Sequence, residues 1–127
     1  MQVLVVDSHA DSRELLIILL EQYGVETLTA ACVEEAVDIM QQASPNLVIS
    51  ELVFPGEDGY SLISQVQAFE MVRGVRIPAI ALTVCAQERD RTRALAAGFC
   101  GYLSKPFNIA ALVQTAACAL EQAEARL

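Results

Sequence analysis

Apolar positions in this chain alternate between short unbroken runs and longer stretches at helical spacing. Gln2–Val6 is a β-branched run ending at Asp7 and predicts a first strand. Leu15, Leu16, Leu19 and Leu20 then recur on one helix face, with Asp11 or Ser12 placed to cap that helix and Gly24 to end it. Val25–Ala30 predicts a second strand, more polar than the first and so nearer a sheet edge. Val33, Ala36, Val37 and Met40 form one face of a second helix. Ser44-Pro45 stops it, because the residue before a proline is pushed out of helical backbone. Leu47–Ser50 is short enough to be a fully buried third strand, and it delivers Glu51 to its carboxyl end before a turn built on Pro55, Gly56 and Gly59.

Beyond that turn, Tyr60, Leu62, Ile63, Val66 and Phe69 predict a third helix, which gives out in the polar Arg73–Arg76 loop. Pro78–Leu82 reads as a fourth buried strand, Gln87–Ala97 as a helix ended by Gly98, and Gly101–Leu103 as a brief fifth strand. Lys105-Pro106 breaks the chain, and Asn108 caps a final helix running to about Arg126. That helix is expected to bury Ile109, Leu112, Val113, Ala116 and Leu120, and to turn Ala111, Cys118 and Ala119 outward. Five strands alternating with five helices, with no repeat and no linker, predict one α/β domain over residues 1–127 with a parallel sheet covered on both faces.

Composition narrows the function. A chain of 127 residues, 54% hydrophobic and 19% charged, is globular and long enough for a real core. Its longest apolar run, Leu15 to Leu20, is far too short to span a bilayer, and no export signal is evident at the N-terminus. A net charge of −8 argues against direct nucleic-acid binding. Arg89, Arg91 and Arg93 are interleaved with Glu88 and Asp90, the pattern of a solvated helix face. The cysteines Cys32, Cys85, Cys100 and Cys118 have no ligand-like spacing. A reduced, cytoplasmic protein without a membrane contact is the expectation.

In such a fold, function gathers at the carboxyl ends of the strands. There the pattern places Asp7, Ser8, Glu51, Thr83 and Lys105, with His9 nearby. Singly, each is ordinary loop polarity, and His9 reads as an exposed loop residue. Together they suit a phosphoryl or metal site, since carboxylates hold Mg²⁺ while a lysine and a hydroxyl contact phosphoryl oxygens. No glycine-rich phosphate loop or catalytic triad supports an enzyme on this scaffold.

These segments resemble the receiver domains of two-component response regulators over essentially the whole chain. The resemblance is carried by Val3-Leu4-Val5-Val6-Asp7, Leu47–Gly59 with Pro55-Gly56 and Asp58-Gly59, Ala79-Ile80-Ala81-Leu82-Thr83, and Gly101-Tyr102-Leu103-Ser104-Lys105-Pro106-Phe107. The stretch from Asp90 to Phe99 is similar to receivers of cyanobacterial hybrid sensor kinases. The resemblance implies a three-layer, doubly wound, flavodoxin-like (CheY-like) fold with strand order 2-1-3-4-5. It also implies an acceptor at Glu51, phosphoryl contacts at Thr83 and Lys105, a switch aromatic at Tyr102, and Mg²⁺ positions at Asp7, Glu51 and Val53. The implied partners are a histidine kinase or another signalling protein, and a second copy meeting the surface of helix four, strand five and helix five.

Three positions depart from the family. Glu51 stands where the family has aspartate, Ser8 where it has the second acidic residue, and Val84 where it has a very small residue. Mg²⁺ demands near-octahedral geometry and dehydrates reluctantly, so losing one carboxylate and lengthening another leaves at most weak binding, and no cofactor is expected. In-line transfer loses roughly 100-fold for a misplacement of about 1 Å, the order of the extra methylene in Glu51. Glu51 is instead expected to reach Lys105 or Thr83 and hold the domain in one state, with Val84 crowding the pocket. The reading is a non-enzymatic, degenerate receiver acting by protein–protein contact; the alternative is a receiver that accepts phosphate slowly.

Overall fold

The structure, a computed structural model, describes residues 1–125. Its elements in order are β1 (Gln2–Val6), α1 (Ala10–Glu21), β2 (Glu26–Ala30), α2 (Val33–Gln42), β3 (Leu47–Ser50), β4 (Val53–Phe54), β5 (Glu57–Asp58), α3 (Tyr60–Arg73), β6 (Ala79–Thr83), α4 (Glu88–Ala97), β7 (Gly101–Ser104) and α5 (Ile109–Ala125). Five strands form one parallel sheet in the order β2-β1-β3-β6-β7. Because β6 and β7 are its fourth and fifth strands, this is the expected flavodoxin-like 2-1-3-4-5 arrangement, with the more polar β2 at an edge.

Strand geometry turns successive side chains to opposite faces, and the sheet uses both. Val3, Val5, Leu47, Ile49, Ile80 and Leu82 pack with Leu16 and Leu20 of α1 and with Leu112 and Ala119 of α5. Leu4, Val6, Val48, Ala79 and Ala81 pack on the other side with Ala36 and Met40 of α2, Leu62, Ile63 and Val66 of α3, and Ala94 of α4. The apolar runs were unbroken in sequence because both faces of each central strand are covered.

Several local expectations are corrected. The α1 helix starts at Ala10 with His9 at its N-cap position, so Asp11 and Ser12 lie in the first turn and do not cap it. The segment after Glu51 is more than a turn. Val53 pairs with Asp58 and Phe54 with Glu57 in a two-stranded antiparallel hairpin around Pro55-Gly56, with Gly56 at φ 72°. Ala119 faces inward and is fully buried, because α5 rotates it onto the sheet, while Cys118 is exposed. Asn108 does cap α5, its Oδ1 accepting from Ala111 N at 2.7 Å. Arg126, where the sequence reading ended this helix, lies outside the described residues.

Candidate functional site

The two central strands end side by side. In the β1–β3 register Val6 lies opposite Ser50, so the next residues, Asp7 and Glu51, emerge together at the point where strand order reverses. Backbone hydrogen bonds carry the ladder just past the strands. Asp7 N donates to Ala30 O at 3.0 Å, Glu51 N to Val6 O at 2.9 Å, and Lys105 N to Thr83 O at 2.8 Å. The site residues are therefore fixed by the sheet rather than by free loops.

Asp7, Glu51 and Thr83 are all buried, with 2%, 3% and 0% of their surfaces exposed. Burying two carboxylates is costly unless each is paired and hydrogen-bonded, and here both are. Lys105 Nζ lies 2.6 Å from Asp7 Oδ2 and 3.0 Å from Glu51 Oε2, bridging the two acids. The other Glu51 oxygen, Oε1, accepts from the Thr83 hydroxyl, from Leu52 N at 2.8 Å and from Val53 N at 3.2 Å. Asp7 Oδ1 accepts from His9 N at 2.9 Å. Burial pulls the Lys105 ammonium towards deprotonation, but its hydrogen bonds to Asp7 and Glu51 outweigh that and raise its pKa above the ordinary lysine value.

Four of the expected residues, Asp7, Glu51, Thr83 and Lys105, thus form one connected cluster. Ser8 is half-buried beside it. Val53 contributes only its backbone N–H to Glu51, and its side chain is largely outside. Tyr102 is packed against the α2–α3–α4 core, its hydroxyl buried without a hydrogen-bond partner and its pKa raised by that burial. His9 is an exposed residue, its Nδ1 3.4 Å from Asp7 Oδ1. Val84 departs from expectation: it is 61% exposed and stands at the mouth instead of filling the pocket, because it lies just past the buried end of β6.

Two contributors escaped the sequence reading. Arg13 donates from Nη1 to Asp7 O at 2.7 Å, and Ser12 Oγ lies 3.5 Å from Lys105 Nζ. Both belong to the first turns of α1, and only the true start of that helix shows which way they point. Among the described residues, no group of three or more His, Cys, Asp or Glu side chains is arranged to hold a metal ion, and no helix is long and apolar enough to cross a membrane.

A parallel five-stranded α/β sheet with acid, hydroxyl and lysine at its switch point is the architecture of a receiver module. The response regulator receiver domain family matches residues 3–117, and the chain belongs to that family. The uncharacterized 14.6 kDa protein in the sodA1 3′ region of Leptolyngbya boryana is 40% identical over 114 residues, covering 90% of this chain and 86% of that protein. The phosphate regulon transcriptional regulatory protein PhoB of Escherichia coli is 33% identical over 112 residues. That match covers 88% of this chain but 48% of PhoB, so the chain spans about half that relative. Among solved structures, a response regulator from Chloroflexus aurantiacus superposes with a TM-score of 0.85 at 29% identity, covering 94% of this chain and 97% of the other. The chemotaxis protein CheY4 of Vibrio cholerae gives 0.81 at 28% identity, covering 93% and 97%.

Proposed function

We propose that this chain is a degenerate receiver of two-component signalling, one domain over residues 1–127, that works by protein–protein contact without efficient Mg²⁺-dependent phosphorylation. One observation carries the reading: Lys105 Nζ bridges Asp7 and Glu51 at 2.6 and 3.0 Å while Glu51 Oε1 is taken by Thr83 and Leu52 N. Thr83 and Lys105, the expected phosphoryl contacts, are spent on the Glu51 carboxylate itself. Glu51 acts as a built-in anion at the acceptor position, and Tyr102, half-buried against the core, as the aromatic at the switch position.

Receivers of this family hold Mg²⁺ at this place, and the donor set here does not fit it. Asp7 and Glu51 have all four oxygens hydrogen-bonded or ion-paired inside the protein, and Ser8 supplies no charge. A metal taking Asp7, Glu51 and Val53 would have to displace the ammonium that now balances the two acids. An ion that dehydrates reluctantly and requires near-octahedral geometry gains little from that exchange.

The partners are a histidine kinase or another signalling protein in the cytoplasm. A second copy can meet the face formed by α4, β7 and α5, the helix on which Cys118 is exposed. Nucleic acid is not a direct partner, since the charge of −8 opposes it.

A second reading, slow acceptance of phosphate, is favoured by the outward position of Val84, which does not crowd the site as the sequence suggests. Incubation with a small-molecule phosphodonor and Mg²⁺, followed by intact mass, separates the two. An unchanged mass is expected; gain of one phosphoryl group would replace the first reading with the second.

A further inference from the structure

We infer that the β4–β5 hairpin is a latch that couples the Glu51 carboxylate to helix α4 through Arg93. The inference goes beyond the reading above and holds whether or not Glu51 accepts phosphate. The near end of the hairpin is set by Glu51, whose Oε1 accepts from Leu52 N and Val53 N. Phe54, 6% exposed, pins the hairpin into the core. Its return strand then makes two ties in opposite directions.

The first tie is to α2. The N-cap residue of that helix, Cys32, makes no side-chain cap, and Glu57 takes over the task by accepting from Val33 N at 2.9 Å. A carboxylate at a helix N-terminus satisfies an otherwise unpaired N–H and meets the positive end of the helix dipole. This fixes one side of the hairpin to a rigid element.

The second tie is to α4. Asp58 Oδ1 accepts from Tyr60 N at 2.9 Å, and its Oδ2 lies 4.0 Å from Arg93 Nη2. The Arg93 guanidinium sits 4.0 Å from the centre of the Tyr60 ring, which in turn meets Phe99 edge-on at 6.2 Å. Arg93 is thereby held by a carboxylate and an aromatic face at once. Each contact is modest, since Arg93 and Asp58 are mostly exposed and such pairs are weak singly. They matter because Ala94 is the only buried residue of α4, which is otherwise held at its far end by Gln67 Nε2 donating to Ala97 O at 3.2 Å. A cleft of about 250 Å³ lined by Leu52, Phe54, Tyr60, Cys85 and Arg93 leaves room for the two parts to shift. Arg93 is a positioning residue in this scheme. A rearrangement at Glu51 moves Leu52 and Val53, the hairpin carries it to Asp58 and Tyr60, and Arg93 delivers it to α4.

Two other connections do not involve Arg93: Cys85 N donates to Thr83 Oγ1 at 3.2 Å in the loop before α4, and Gln67 Nε2 donates to Ala97 O at 3.2 Å at its far end, so removing Arg93 tests the latch and leaves both in place. Backbone amide NMR shifts give the test. Glu51→Gln should perturb amides at 52–58 and at 88–97 in the parent chain. In an Arg93→Ala background the perturbation at 88–97 should fall below half while that at 52–58 persists, with Arg93→Lys intermediate because it keeps the charge and loses the stacked plane. Equal perturbation at 88–97 in both backgrounds, or none there in the parent, overturns the inference. Should Glu51→Gln fail to fold, hydrogen exchange of the parent against Arg93→Ala decides. Exchange about two- to fivefold faster at 88–97 is expected from contacts of this strength, and unchanged exchange overturns the latch. Neither readout involves phosphate, so its failure is separate from failure of the receiver reading.

Discussion

Lys105 is the only lysine of the chain, and among the described residues it is the one cation whose side chain touches both buried acids. Replacing it with methionine keeps the alkyl stem and leaves two buried carboxylates with their hydrogen bonds to Thr83, Leu52 and His9 but without a cation. Breaking a buried ion pair from one side costs about 3–5 kcal/mol, and the lower end is expected because Lys105 keeps some exposure to water. A urea midpoint for Lys105→Met measures it, and a loss below about 1 kcal/mol, the scale of surface pairs, would mean the bridge contributes little. The pH dependence has a definite sign. The folded pKa of Lys105 is raised above its unfolded value of about 10.4, so its stabilisation is complete below that pH and is lost as pH rises through the folded value. Tyr60 and Tyr102 also have raised pKa values through burial, and they too cost stability at alkaline pH. From neutral pH the difference between parent and Lys105→Met should therefore hold up to about pH 10 and shrink beyond it. The acceptor position has its own test. Glu51→Asp together with Ser8→Asp should restore phosphorylation, read by intact mass, more than either change alone. Full recovery by Glu51→Asp alone would assign the deficit to the extra methylene and not to the missing charge.

The hairpin of β4 and β5 shows how an element can be invisible in sequence and still be specified by it. Each of its strands has two residues, too few for any alternation to register. Only Pro55, Gly56 and Gly59 announced a turn. What holds it is tertiary: Phe54 in the core, Glu57 on α2, and Gly59, where a Cβ would collide with the backbone carbonyl of Leu52. Glu57→Ala removes the cap on α2 and should cost about 1 kcal/mol in urea unfolding. Glu57→Gln, which keeps an acceptor oxygen, should cost less. The five sheet strands were legible for the opposite reason, since burial on both faces leaves apolar runs such as Val3–Val6 and Ala79–Leu82. The rim was legible too, because Asp7, Glu51, Thr83 and Lys105 each end or follow a strand. What could not be read was orientation near element ends. His9 rather than Asp11 or Ser12 takes the N-cap position of α1, Ala119 turns inward, and Val84 turns outward. In each case one residue's difference in where the chain bends decides the direction of a side chain.

Across the molecule the charge is unevenly spent. Of eight basic residues, Lys105 is committed to the acid pair, Arg13 to the Asp7 carbonyl and Arg73 to the carbonyls of Met40 and Ala43 at the end of α2. Few cations remain to offset the acids on the surface, and the exposed pairs that form, Arg91–Glu88 at 3.8 Å and Arg93–Asp58 at 4.0 Å, are long. A surface carrying most of a net −8 repels itself in the compact state. Salt should relieve that repulsion, since the Debye length falls from about 30 Å at 0.01 M to about 3 Å at 1 M. The buried cluster should be nearly indifferent, because ions do not enter between Lys105, Asp7 and Glu51. Sodium chloride over this range is expected to raise the thermal midpoint of the parent, and to raise that of Lys105→Met by a similar increment from a lower start. A midpoint that falls with salt would mean that the exposed ion pairs outweigh the excess of acid. A much smaller gap between the two chains at high salt would mean that the cluster is open to solvent. Parallel curves would place the stabilising electrostatics of this receiver inside the site and its destabilising electrostatics on the surface.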